Sequence, residues 1–198
     1  DLSDEEMRIL KDTDTKVAHT PFAWHSARMT CRAVQLIESG VTVALATDGN
    51  GPDRTFDLFK DMKHAMHYHR KVHKDTSVMP PGKILEMTTI DAAKALLLDG
   101  IIGSLEPGKR ADLILLDMWK PHLVPFNMIP YRVANCATGQ DVDTVIVDGR
   151  ILMEERKVSI LEDEILSRAN EEAGKIIERT GVSPFMSLPD RFWGHARY

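Results

Sequence analysis

The chain has 198 residues, 43% of them apolar and 28% charged, with a net charge of −5. That balance suits a globular protein rather than a disordered one, and it gives no pull toward nucleic acid or an anionic membrane. No apolar run approaches the length of a membrane span.

The N-terminal Asp1-Leu2-Ser3-Asp4-Glu5-Glu6 lacks the basic and apolar regions of a signal peptide, and there is no initiator methionine. The expectation is a chain that starts within a longer frame or after a cleavage. The two cysteines, Cys31 and Cys136, have neither metal spacing nor a disulfide framework, so a reducing cytoplasm is expected.

Residues 4–11 read as a short acidic helix, and Thr15 to His19 as a short strand stopped by Thr20-Pro21. Residues 28–39 read as a helix, with Met29, Ala33, Leu36 and Ile37 on one stripe and Gly40 as its C-terminal cap. Val41 to Thr47 is a strand, apolar on both faces, as a parallel strand covered by helices requires. The order strand, helix, strand is a βαβ unit. Residues 57–73 form a longer helix, with Leu58, Met62, Ala65, Met66 and His69 on one face. After Pro80-Pro81-Gly82 a helix resumes at Lys83, and Thr88-x-x-Asp91 reads as a capping box for a helix through Leu98.

At Gly100 the character changes. Ala111 to Asp117 is a strand, and residues 120–141 read as a Pro-containing loop. Val142 to Val147 and Arg150 to Met153 flank Asp148-Gly149, a hairpin signal. A charged helix runs from after Val158 to Arg179, capped by Gly181. The tail carries Phe185, Phe192 and Trp193 without a clear pattern.

Asp48 is the sharpest chemical signal. It closes the Val41–Thr47 strand and meets Gly49-Asn50. A carboxylate where a strand meets its loop can bind a metal or take a proton from water. It can equally cap a turn, since Asp-Gly is common turn chemistry. His19 stands at the other strand end, where it could ligate a metal, polarise a substrate or bond within its turn.

The run from Lys63 to His73 holds four of the eight histidines. His67 and His69 point to different faces of a helix. His69 and His73 are i, i+4, but no carboxylate lies between them, and helix packing is the better reading. The segment Ile102-Gly103-Ser104-Leu105-Glu106-Pro107-Gly108-Lys109-Arg110-Ala111-Asp112 lacks the spacing of a phosphate loop and reads as a turn feeding a strand.

Taken together, these segments resemble the amidohydrolase superfamily, in its cytosine deaminase, S-adenosylhomocysteine deaminase and s-triazine hydrolase branch. The matching residues are Val17-Ala18-His19-Thr20-Pro21, Leu45-Ala46-Thr47-Asp48-Gly49-Asn50, Lys83 to Thr89, Ile102 to Asp117 and Val142 to Gly149. The stretch from Asp61 to His73 looks closest to the atrazine chlorohydrolase and melamine deaminase group.

The resemblance implies an α/β fold: the C-terminal portion of a (β/α)8 barrel, part of a small β-sandwich and a closing helix. Residues 1–100 would carry barrel strands seven and eight, 101–153 the C-terminal share of the sandwich, and 154–198 the closing helix and tail. It implies one divalent metal, zinc ahead of iron, with Asp48 as metal ligand and proton acceptor. It places His19 near the substrate mouth, with Asn50 and Trp24 as further substrate contacts. The family often continues with Ser-Asn after this motif, whereas Phe22-Ala23-Trp24-His25 stand here. Strands one to six, with the other ligands, have no match in the chain.

The implied activity is hydrolysis of a C–N or C–Cl bond of a small nitrogen heterocycle, by a deaminase or chlorohydrolase. The implied partner is the N-terminal half of the barrel, as upstream sequence or a separate chain, within an oligomer, with no nucleic acid or membrane. The alternative is a non-catalytic assembly subunit or an inactive truncated fragment.

Overall fold

The computed structural model describes residues 2–22, 31–49 and 55–186. The chain divides into two compact units, Asp1–Arg156 and Lys157–Tyr198.

The first unit opens with helix α1 (Asp4–Asp12), started by a capping box. The Ser3 hydroxyl accepts from the Glu6 backbone N–H, and the Glu6 carboxylate accepts from the Ser3 N–H at 2.7 Å. Strand β1 (Val17–His19) is followed by helix α2 (Ala33–Ser39) and strand β2 (Val43–Leu45). Gly40 ends α2 at φ 94°, a left-handed conformation that costs glycine nothing. β1 and β2 pair in parallel, with Val17 opposite Val43 and His19 opposite Leu45. The βαβ unit is therefore present. Its strands are shorter than the apolar runs suggest, because only three residues of each find ladder partners. All of β2 is buried, as its two-sided apolar pattern requires.

Helix α3 (Leu58–His73) begins at Asp57, whose Oδ1 accepts from the Phe59 N–H. Its buried face carries Phe59, Met62, Ala65, Met66 and His69, close to the stripe expected from the 3.6-residue period. Helix α4 (Pro81–Thr88) starts two residues earlier than expected, with Pro81 where no intrahelical N–H is needed.

The expected capping box at Thr88 is absent. Thr88 ends α4 and its hydroxyl donates back to Ile84 and Leu85 carbonyls. Helix α5 (Ile90–Ala95) follows without a side-chain cap. Asp91 is buried and takes Lys83 Nζ at 2.6 Å and Lys94 Nζ at 3.1 Å instead. A carboxylate offered two ammonium groups in a buried site gains more than it would from one backbone amide.

Strands β3 (Leu113–Leu116), β4 (Val142–Val147) and β5 (Arg150–Glu154) form an antiparallel sheet in that order. Asp148 at φ 50° and Gly149 at φ 74° make the two-residue turn expected of Asp-Gly. The expected loop over 120–141 is corrected: it holds helix α6 (Ile129–Cys136) and a 3-10 turn (Gly139–Asp141). Pro130 lies in the first turn of α6, where proline is tolerated. The helix packs on α3 and α4, which a local reading does not see.

One core joins the parallel pair to these helices through Leu36, Val43, Leu45, Met66, Ile84 and Leu123. Each such fully buried side chain is worth about 1.5–3 kcal/mol.

The second unit holds helix α7 (Glu162–Thr180), acidic in its first turn, with Arg179 in its last and Gly181 as a left-handed cap. A short helix α8 (Ser183–Met186) follows. Phe192 and Trp193 lie outside the described residues. Among the described residues, no helix is long and apolar enough to cross a membrane.

Candidate functional site

Two parallel strands end side by side. β1 delivers His19, and β2 runs on through Ala46 and Thr47 to Asp48. The ends are tied by one bond beyond the ladder: the Ala46 N–H donates to the His19 carbonyl at 2.9 Å. Past it the backbone leaves the extended region, and Asp48 takes φ 63°. Its side chain is exposed. The Gly49 N–H donates to Asp48 Oδ1 at 2.5 Å, and Thr47 Oγ1 donates to the Asp48 carbonyl at 3.1 Å. One carboxylate oxygen is thus anchored by its own turn. The other, Oδ2, has no partner among the described residues and can accept from a ligand.

His19 is placed differently. Its residue is 1% exposed, and its Nε2 lies 3.0 Å from Nε2 of His69, itself 1% exposed. The imidazole sits between β1 and α3. Burial, first, and the neighbouring His69 and His64 rings push the His19 pKa down to about 3. Burial, then His73 and His64, push His69 to about 4. Both rings are neutral at pH 7, so one donates and the other accepts, with the tautomers complementary. His19 Nδ1 is buried with no hydrogen-bond partner among the described residues. Trp24, His25 and Asn50 lie outside the described residues.

Sequence reasoning placed His69 on the buried stripe but did not pair it with His19, fifty residues away. It also missed the ring stack around that pair. The Tyr68 ring meets His69 edge-on with centroids 5.0 Å apart, and Phe22 meets His64 at 5.5 Å. Asp57 was missed as well: besides capping α3 it accepts from the Gly139 N–H at 3.3 Å, joining the helix to the turn before β4.

The glycine-rich segment at 102–112 is the turn it was expected to be. Lys109 Nζ donates to Ser104 Oγ at 2.6 Å, Ser104 Oγ to Glu106 Oε1 at 2.5 Å, and the Arg110 N–H to the Ile101 carbonyl.

A metal would find one ligand here. Among the described residues, no group of three or more His, Cys, Asp or Glu converges on a common point. The donor chemistry of Asp48 fits one oxygen ligand of a divalent cation, whereas the His19 Nε2 is already engaged by His69.

The model of the amidohydrolase family matches residues 2–152. The chain is 35% identical over 180 residues to the 5'-deoxyadenosine deaminase of Methanosarcina mazei, covering 90% of this chain and 41% of that protein. It is 37% identical over 164 residues to the 5-methylthioadenosine/S-adenosylhomocysteine deaminase of Acetivibrio thermocellus, covering 82% of this chain and 38% of that one. The chain thus spans about two fifths of the length of the curated relatives it matches.

Among solved structures, an adenosine deaminase from Xanthomonas campestris with bound zinc superposes with a TM-score of 0.86 at 24% identity, over 88% of this chain and 40% of that one. Atrazine chlorohydrolase from Arthrobacter aurescens TC1, complexed with zinc, superposes with a TM-score of 0.79 at 21% identity, over 86% and 38%. These two share the fold. The family model spans the strand ends, the glycine-rich turn and the hairpin in one continuous match, and the chain belongs to the amidohydrolase family.

Proposed function

We propose that this chain is the C-terminal part of a metal-dependent deaminase acting on the amino-bearing ring of an adenosine-type nucleoside. Residues 1–100 are then the end of a (β/α)8 barrel, with β1 and β2 as strands seven and eight. Residues 101–153 are a share of the β-sandwich, and 154–198 the closing helix and tail. The observation that carries this reading is Asp48, an exposed carboxylate at a parallel-strand end, with one oxygen anchored by Gly49 and the other open. Strand ends of this kind are where barrel enzymes hold their chemistry.

Deamination is favoured over dechlorination. The curated relatives, at 33–38% identity, are nucleoside-type deaminases, whereas the chlorohydrolase likeness is one of fold, at 21% identity.

A divalent cation, zinc ahead of iron, would supply Lewis acidity and lower the pKa of water toward 7. Asp48 would hold that cation as one ligand, and its Oδ2 would accept a proton from the attacking water and return it toward the departing amino group. The ring carbon exchanges its bond to nitrogen for one to oxygen, and ammonia leaves. Asn50 and Trp24 are the candidate substrate contacts. The remaining ligands come from the N-terminal half of the barrel, as upstream sequence or a separate chain, within an oligomer. The free thiols of Cys31 and Cys136 suit a reducing cytoplasm.

The test is Asp48→Asn in the complete enzyme, assayed for ammonia release from 5'-deoxyadenosine, 5'-methylthioadenosine and S-adenosylhomocysteine, with zinc measured by elemental analysis. Loss of both turnover and zinc is expected. A variant with wild-type rate and metal content would overturn the reading.

A further inference from the structure

We propose that His19 and His69 are a positioning pair that sets the strand end carrying Asp48. The inference rests on the reading of Asp48 as metal ligand, and it assigns His19 a role from behind the strand rather than against the substrate.

The ladder between β1 and β2 is short, and its last tether is the Ala46 N–H on the His19 carbonyl, 2.9 Å away. Asp48 follows two residues later, held otherwise, among the described residues, by bonds within its own turn, from Thr47 and Gly49. The reference point for the carboxylate is therefore the His19 backbone. That backbone is fixed in turn through its side chain. His19 Nε2 meets His69 Nε2 at 3.0 Å, with ring centroids 5.0 Å apart and planes inclined at 59°.

His69 stands on a rigid support. α3 is capped at one end by Asp57 and at the other by Lys74 in the left-handed region, and Arg70 beside His69 donates to the Val78 and Met79 carbonyls at 3.2 Å. Tyr68 and His73 flank the His69 ring.

The chemistry of the pair also argues for a directional role. Two buried imidazoles must shed water, and among the described residues they recover one hydrogen bond between them. Among the described residues, His19 Nδ1 is left buried without a hydrogen-bond partner. An aliphatic pair of similar volume would fill the same space without that cost. What the imidazoles supply and aliphatic groups cannot is a bond with a fixed direction and length. Metal ligands lose affinity when the groups that orient them are removed, even at one remove.

The experiment uses the complete zinc-loaded enzyme. His69→Met removes the bond and keeps an apolar side chain of similar volume. His69→Gln reaches back with an amide, and His67→Ala alters an exposed histidine of the same helix outside the pair. Zinc affinity is read by chelator competition, kcat and KM by steady-state assay, and the Ala46 amide by hydrogen exchange.

His69→Met is expected to weaken zinc binding about tenfold, to lower kcat with KM little changed, and to speed exchange at Ala46. His69→Gln is expected to restore most of each, and His67→Ala to change none. Asp48→Asn, run alongside, separates the two readings. If it keeps zinc and rate, the metal assignment fails. If it loses both while His69→Met retains wild-type affinity and Ala46 exchange, the positioning role fails and the metal assignment stands.

Should His69→Met not fold, wild-type protein decides. Coupling between the carboxylate and the pair is reciprocal, so loading zinc must slow exchange at Ala46, and unchanged exchange overturns the proposal.

Discussion

At Asp48 the backbone stands at φ 63°, where a side chain with a Cβ pays about 1–2 kcal/mol unless it is Asn or Asp, which bond locally. That makes Asp48→Asn a clean probe, because Asn tolerates the same backbone and keeps the side-chain oxygen that Gly49 needs. The expected outcome is an unchanged thermal midpoint of the metal-free protein, with turnover down at least about 100-fold, the scale of a lost proton-transfer group. Equal loss of stability and rate would mean that the residue serves the turn and not the reaction.

His19 and His69 yield a second expectation at this scale. Unfolded histidines titrate near 6.5, whereas the folded pair is held to about 3 and about 4. Between these values the unfolded chain binds more protons, so the pair's contribution to stability is complete above about pH 6.5. It is lost progressively as pH falls toward 4 and then 3. The imidazoles that face the pair, His64 and His73 on α3, add repulsion once any of them is protonated. Denaturant midpoints measured from pH 7 to pH 5 should fall, and His69→Gln should flatten that slope. A slope identical in the variant would show that other groups carry it.

Among the elements, the turn from α5 into β3 owes its shape to one glycine. Gly103 stands at φ 91°, and a Cβ there would lie 2.6 Å from the Ala93 Cβ and 3.1 Å from the Ile90 Cα, on a helix that cannot move aside. Gly103→Ala should destabilise the protein by about 2–3 kcal/mol through overpacking and backbone strain together. Thermal unfolding checks this, and an unchanged midpoint would mean that the helix and turn separate freely. The polar residues of the same segment, Ser104, Glu106 and Lys109, bond to one another, so their pattern describes a turn and not a ligand cradle.

α6 shows the converse case. Its eight residues form a helix whose buried residues, Ala134 and Asn135, acquire a role only through packing on α3 and α4. Asp91 was expected to cap a helix and serves instead as the shared acceptor of Lys83 and Lys94, because Lys83 arrives from the preceding helix at 2.6 Å.

For the whole molecule, the parallel sheet has two strands among the described residues, and Phe56, Leu97, Leu105 and Trp119 are largely exposed. Open strand edges and exposed apolar groups recruit partners. Expressed by itself, this chain should associate in solution, bind zinc weakly and show no deaminase activity, as light scattering, metal analysis and assay would read. A monodisperse, zinc-loaded, active monomer would overturn both the shared-barrel reading and the partner it implies.

What the sequence determined by itself is local in origin. The acidic helix near the N-terminus, the Gly40 and Gly181 caps, the Asp148-Gly149 hairpin and the strand leading to Asp48 each follow from chemistry within a few neighbouring residues. The buried stripe of α3 follows from its period. The motifs from Val17 to Gly149 also pointed to the family. What tertiary structure alone decided lies between segments far apart in the chain: the His19–His69 bond, the second duty of Asp57 at Gly139, the pairing of Asp91 with Lys83 and the helix within 120–141. A histidine on a helix face and a histidine at a strand end are each ambiguous, because an imidazole can donate, accept or ligate. Their partner is chosen by packing, which brings together residues that no local pattern connects.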